Sequence, residues 1–210
     1  MTSKPVANQR GRPEERATRR VGVVGAGIAG AIAARTLQDC GFSVTVLEKA
    51  RGPGGRMSTR RAGDGLRFNH GAQFFTVRDE RFGRLVRSWR RDGLVRRYEP
   101  RELRIGRGDD RREAQDGSKG RFIARPGMNA IARHLLEDID VRYASRVVAL
   151  EQDDDGEWRA TIEDEDGALR FDALIVTAPA AQTTELLEHA APDLADRVRT
   201  AMLLPCWAMM

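Results

Sequence analysis

A chain of 210 residues that is 40% hydrophobic can build one large domain or two small ones around a sizeable core. No apolar run approaches the roughly 20 residues of a membrane-spanning helix, so no membrane partner is expected. Cys40 and Cys206 are far apart and have no neighbouring histidine, which argues against a disulfide framework and against a metal site. Both are read as buried thiols of a reducing, cytoplasmic compartment. The net charge of +5 is uneven: residues before Val21 and between Arg81 and Arg125 are basic, and the stretch from Glu137 to Asp166 is acidic. Nucleic-acid binding would call for stacking aromatics among the basic residues. Here the middle arginines fall on the outer face of an expected helix, so a solvated face and no nucleic-acid partner are expected.

Residues 1–19 are polar, without periodicity, and read as a disordered tail. Arg20 to Val24 is a short β-branched run, as in a strand buried on both faces. Ile28 to Cys40 has helical spacing, with Ala29, Ala33 and Leu37 in one row and Ile28 and Ile32 in the next. Gly41 stands where a helix C-cap glycine belongs, and Phe42 to Leu47 is a second strand ending in Glu48. The opening of this segment, Arg19-Arg20 followed by an apolar, alanine-rich run, also resembles a twin-arginine export signal. An export signal does not need the helix, strand and acid that follow, so the βαβ reading stands.

Within it, Gly25-Ala26-Gly27-Ile28-Ala29-Gly30 spells G-x-G-x-x-G. Gly25 allows the tight turn, Gly27 lets backbone approach a pyrophosphate, and Gly30 lets helix and strand pack closely. The helix N-terminus offers unpaired N–H groups to an anion. Glu48 is placed to accept both hydroxyls of a ribose. A second turn, Lys49 to Arg60, contains Gly54-Gly55-Arg56-Met57. Its paired glycines permit close backbone approach, and Arg56 can pair with a pyrophosphate.

Asp79 can cap a helix whose Phe82, Leu85, Val86 and Trp89 form an apolar stripe. Leu94 to Tyr98 and Arg121 to Ala124 read as strands, with a charged, mobile loop from Arg101 to Lys119 between them. Met128, Ile131, Ala132 and Leu135 mark another helix, on which His134 can pair with Glu137 or Asp138. From Arg146 the period becomes two, and acidic turns separate three strands of a β-meander. Ala173 to Thr177 returns to a buried parallel strand. Ala180 to His189 reads as a helix and Met202 to Met210 as the start of a strand.

Glu48 followed by Gly54-Gly55-Arg56 resembles the second signature of the flavin amine oxidase superfamily, whose members bind FAD. The segment Leu66-Arg67-Phe68-Asn69-His70-Gly71-Ala72-Gln73-Phe74-Phe75-Thr76 resembles the renalase-like branch, especially its bacterial members. Pro126-Gly127-Met128-Asn129 and Val176-Thr177-Ala178-Pro179-Ala180 are similar to the same family. The resemblance implies an α/β fold with a Rossmann-like FAD-binding domain (20–80 and 126–178) that includes the meander. An incomplete substrate domain (81–125 and 179–210) accompanies it. Family members run on for roughly half a domain more, so the chain is expected to be truncated after Met210. The implied cofactor contacts are Gly25, Ala26, Gly27, Ile28, Ala29, Gly30, Glu48, Lys49, Gly54, Gly55, Arg56, Met57, Gln73, Phe74 and Val147, the last through its backbone to adenine. His70, Gln73 and Phe74 are candidates for residues beside the flavin. The alternative, Phe74 and Phe75 as core strand residues and His70 as a turn residue, stays open. No acid or base is assigned.

The implied activity is hydride transfer from a reduced nicotinamide dinucleotide to the flavin, with O₂ as acceptor and hydrogen peroxide as product. Three readings stand beside it. One is oxidation of an amine, or another flavin dehydrogenase reaction, on the same scaffold. Another is a truncated fragment that turns nothing over. The last is a purely NAD-binding protein, which the Gly54-Gly55-Arg56 loop disfavours. The oligomeric state is not legible.

Overall fold

The computed structural model describes residues 18–99 and 120–204. The tail at 1–17, the charged loop at 100–119, Cys206 and the rest of 205–210 lie outside the described residues. Strand β1 (Arg20–Val24) leads through the glycine turn into helix α1 (Ile28–Asp39) and strand β2 (Ser43–Glu48). A small antiparallel hairpin of β3 (Thr59–Arg61) and β4 (Arg67–Asn69) follows. Its four exposed positions, Arg60, Arg61, Arg67 and Phe68, carry no apolar alternation, and sequence reading missed it.

Next come β5 (Phe75–Thr76), helix α2 (Glu80–Arg91), β6 (Val95–Tyr98) and β7 (Arg121–Ala124). These three strands form one antiparallel sheet in the order β5-β7-β6. Asp79 caps α2 as expected, its carboxylate accepting the Phe82 N–H at 3.1 Å. The buried stripe of α2 is Gly83, Val86 and Trp89, whereas Leu85 faces solvent. Helix α3 (Ala130–Leu135) buries Ile131, Ala132 and Leu135, and Met128 just ahead of it is fully buried. His134 pairs with Glu137 at 3.4 Å, the exposed pair its spacing implied.

Strand β8 (Asp140–Tyr143) then joins the main sheet, which sequence reading also missed. With Val141 alone between charged neighbours at a sheet edge, it has no hydrophobic pattern to announce it. The meander is β9 (Val147–Gln152), β10 (Trp158–Ile162) and β11 (Ala168–Phe171), antiparallel in sequence order. Strand β12 (Ala173–Val176) closes a four-stranded parallel sheet of order β12-β1-β2-β8. Helix α4 (Ala180–Leu187) ends two residues before the expected His189, and a further helix, α5 (Pro192–Arg199), packs against it. Met202 to Leu204 is exposed and not in a strand.

Alternate residues of the central strands feed opposite cores, as period two requires. Val23 and Val46 join Ala31, Ala34, Val86, Trp89 and Ile131 on one side. Val24 and Leu47 join Val147, Leu150, Ala160, Phe171 and Leu187 on the other. Helix α1 presents Gly30, Ala31 and Ala34 inward, not the row of Ala29, Ala33 and Leu37, and Ile32 is exposed. The smallest residues face the sheet because the helix lies close upon it; size selects that face more than hydrophobicity does. Cys40, the residue closing α1, is exposed and corrects the expectation of a buried thiol.

Candidate cofactor site

At the C-terminal ends of β1 and β2, two glycine loops lie against each other. Gly25 adopts φ 104° and its N–H donates to the Leu47 carbonyl at 2.8 Å. Gly54 donates to the Ala26 carbonyl at 2.9 Å, and Gly27 bridges to Gly54 as a parallel pair. Gly54 and Gly55 both have positive φ, at 131° and 51°. A Cβ on Gly55 would stand 3.2 Å from the Gly27 Cα, and one on Gly54 would strike Asn129 at 2.8 Å. The glycine pair therefore serves loop-on-loop packing as well as room for a ligand.

The glycines of the first loop divide their roles sharply. A Cβ on Gly30 would fall 1.9 Å from the Gly25 carbonyl oxygen, so this position locks the helix beneath the loop. A Cβ on Gly27 would meet no protein atom within 4 Å. That open space belongs to a cleft of about 300 Å³ which Gly27 lines. Gly27 is also the N-cap of α1, with no side-chain cap and no acidic residue in the first turn. The first-turn N–H groups and the positive end of the helix dipole are thus left for an anion.

Glu48 ends β2 and is buried. One carboxylate oxygen accepts the Ala26 N–H at 2.7 Å, and the other accepts the Ala50 N–H at 2.8 Å. The carboxylate is thereby fixed between the two loops, and each oxygen keeps a further lone pair for a diol in the cleft. Val24, Leu47, Val147 and Leu186 supply apolar wall, and Lys49, Arg56 and Arg146 supply positive charge. Lys49 donates to the Gln182 side-chain oxygen at 3.0 Å, joining the end of β2 to α4 across the cleft.

Of the sequence-derived candidates, Gly25, Gly27, Ile28, Ala29, Glu48, Lys49, Gly54, Gly55, Arg56, Met57 and Val147 line this cleft together. Ala26 and Gly30 are buried behind it, Ala26 with its N–H and carbonyl spent on Glu48 and Gly54. His70, Gln73 and Phe74 are not among its lining residues. They are nonetheless tied to it, because Ala72 donates to the Arg56 carbonyl at 2.9 Å and Gly71 lies hard against that carbonyl. His70 Nε2 is 3.0 Å from the Ser58 hydroxyl, while its Nδ1 is sealed from solvent without a partner among the described residues. The Phe74 ring is partly exposed beneath the Arg121 guanidinium at 4.9 Å, and Phe75 packs between Phe82 and Phe122.

Sequence reasoning left out Ser145, Arg146, Thr177, Ala178, Pro179, Gln182 and Leu186, which also line the cleft. The Val176 to Ala180 motif signalled part of this group. Thr177 is held there by β1, its hydroxyl donating to the Val24 carbonyl at 2.9 Å.

A family model for NAD(P)-binding Rossmann-like domains matches residues 23–89. A model for flavin containing amine oxidoreductases matches residues 95–203, just over half of the chain. The chain is similar to lysine-specific histone demethylase 1 homolog 1 of Arabidopsis thaliana, 56% identical over 46 residues, or 21% of this chain and 6% of that protein. Homolog 2 of the same plant is 52% identical over 56 residues, 27% of this chain and 8% of the relative. The matched segments thus span less than a tenth of these curated relatives. A structure of a candidate protoporphyrinogen oxidase from Exiguobacterium sp. 255-15 superposes with TM-score 0.61 at 16% identity, over 86% of this chain and 64% of that one. The CLA-producing fatty acid isomerase of P. acnes superposes with TM-score 0.60 at 14% identity, over 80% and 60%. At those identities the likeness is one of fold. The open face at Gly27, the uncapped helix and the strapped Glu48 fit the adenosine diphosphate half of FAD. The chain belongs to the flavin containing amine oxidoreductases, a family of FAD-dependent oxidoreductases.

Proposed function

We propose that this chain binds FAD in the cleft and oxidises a small reduced substrate, of the renalase-like kind, with O₂ as acceptor. The observation that carries the reading is the fixed Glu48 carboxylate beside an open glycine and an uncapped helix N-terminus. In this reading the first-turn N–H groups of α1 and Arg56 hold the pyrophosphate, and Glu48 takes the ribose hydroxyls. Val24, Leu47 and Leu186 give the adenine an apolar wall, with the Val147 backbone at its edge. The segments 20–80 and 126–178 form the cofactor-binding unit, and 81–125 with 179–210 form part of the substrate unit.

Bound FAD supplies a two-electron acceptor for a hydride. What the chain contributes is orientation, by a loop pair whose backbone is already hydrogen-bonded, and exclusion of water by the apolar wall. His70, Gln73 and Phe74 stand nearest to the flavin end in this proposal, through their attachment to the Arg56 loop. The preferred substrate is a reduced nicotinamide dinucleotide, supported by the resemblance of Leu66 to Thr76 to the renalase-like branch.

Amine oxidation is the second reading, supported by the family model over 95–203. Peroxide release from the FAD-loaded chain separates the two. Reduced nicotinamide dinucleotides should release it, and primary and secondary amines should not. Release with amines alone would replace the first reading by the second, and release with neither would leave a cofactor-binding unit without turnover.

A further inference from the structure

We propose that the outer face of α2 is a second anion site, built for ligands that carry several phosphate groups. Arg84, Arg87, Arg90 and Arg91 together line one open groove of about 650 Å³. All four are exposed, whereas Val86 and Trp89 on the same helix are 2% and 3% exposed and hold it against the core. The helix therefore cannot turn its cations elsewhere.

Arginines at i, i+3 and i+4 on one face repel each other and oppose helix formation. Among the described residues little offsets this. Arg84 reaches Glu80 at 3.5 Å, a pair in which both side chains are largely exposed. Arg87, Arg90 and Arg91 have no carboxylate within ion-pair distance among the described residues. Arg90 rests over the Phe122 ring at 5.9 Å, which steadies its guanidinium and leaves the N–H edge available. The helix dipole accounts for cations in the last turn, at Arg90 and Arg91, but not for Arg84 and Arg87 a turn or more earlier.

Among the described residues no carboxylate answers Arg87, Arg90 or Arg91, which leaves this face open to an external counter-charge. Guanidinium groups take phosphate oxygens in paired hydrogen bonds. From Arg84 to Arg91 the helix rises about 10 Å, so full engagement needs charges spread over a comparable length. A single small monoanion cannot reach all four. A chain of phosphates can, and so can a multiply phosphorylated lipid headgroup; the shared chemistry is the row of phosphates.

Calorimetric titration with inorganic tripolyphosphate tests this, with Gly27→Val as the background that fills the dinucleotide cleft. Saturable binding should persist in Gly27→Val and should weaken as ionic strength rises past about 0.15 M. The Arg87→Gln/Arg91→Gln variant should bind about tenfold more weakly. Arg133→Gln/Arg142→Gln, on exposed positions of α3 and β8, should bind as the unaltered chain does. Loss of binding in Gly27→Val would place the anion in the dinucleotide cleft and overturn the proposal. Equal affinity of the α2 variant and the unaltered chain would overturn it too. Sedimentation with phosphatidylcholine vesicles, with and without phosphatidylinositol bisphosphate, then identifies the source. Capture that needs both the phosphoinositide and the α2 arginines assigns a headgroup, and tripolyphosphate binding without capture assigns a soluble polyphosphate.

Discussion

Glu48→Gln keeps the shape of the side chain and removes half of its bonding capacity. In the native chain the carboxylate accepts from the N–H groups of Ala26 and Ala50 at 2.7 and 2.8 Å. A carboxamide has one acceptor oxygen, so one of these N–H groups would face an NH₂ instead. Ala26 is wholly buried, so the amide oxygen turns to its N–H and the NH₂ group is pressed against the partly buried Ala50 N–H. An orphaned buried donor costs about 1–3 kcal/mol, and hydrogen bonds to a charged acceptor lie toward the upper part of that range. Urea unfolding of the FAD-free protein should therefore show a loss of about 2 kcal/mol. The same change should lower FAD affinity at least tenfold, since about 1.4 kcal/mol suffices for that factor and a ribose acceptor is lost as well. An FAD-free protein of unchanged stability would refute the strap. Unchanged FAD affinity would remove Glu48 from the ribose site.

Gly27→Val should leave the unfolding midpoint near its original value and abolish FAD uptake, because only the cleft receives the added side chain. Gly30→Ala should do the reverse work on stability, losing about 3 kcal/mol as its methyl meets the Gly25 carbonyl; a fully stable Gly30→Ala would show that loop and helix are not locked. Thr177→Val should cost about 1 kcal/mol in urea unfolding by deleting the bond to the Val24 carbonyl, with the β12 end of the cleft loosened. Arg20 pairs with Glu157 and Asp172, and both carboxyls are held below their ordinary range. Arg170 and then Arg20 lower Glu157, whereas the Arg20 N–H is the main cause at Asp172. Depressed carboxyls stabilise the fold above their unfolded values, near pH 4, and that contribution is lost as pH falls through the folded values. The stability difference between the unaltered chain and Arg20→Gln, followed by circular dichroism, should thus be present at pH 7 and vanish once both carboxyls are protonated. A difference that persists in acid would assign the effect to packing.

Much of the first βαβ unit was legible because two signals coincided, the β-branched runs at Val21 to Val24 and Val44 to Leu47 and the glycine spacing between them. The meander was legible from period two and acidic turns. Strand β8 and helix α5 were not. Asp140-Val141-Arg142-Tyr143 is an edge strand with one inward apolar residue, and α5 buries only Ala195. Local pattern carries no information where tertiary pairing alone creates the element. The site shows the same division. Gly27, Glu48 and Arg56 follow from a local motif, but the Ala26 and Ala50 contacts of Glu48 depend on how two loops meet. Thr177 and Gln182 reach the cleft only because β12 pairs with β1 from some 150 residues away. The outward turn of Ile32 had no signal in hydrophobicity, since closeness to the sheet selects Gly30, Ala31 and Ala34 instead.

The most direct test of a dinucleotide cleft closed by this chain is an absorption spectrum of the purified 210-residue protein, with the cofactor released by heat and identified. A cleft that closes around FAD should give a flavin spectrum, FAD as the released species, and close to one FAD per chain. A folded but colourless protein that takes up no added FAD would contradict it.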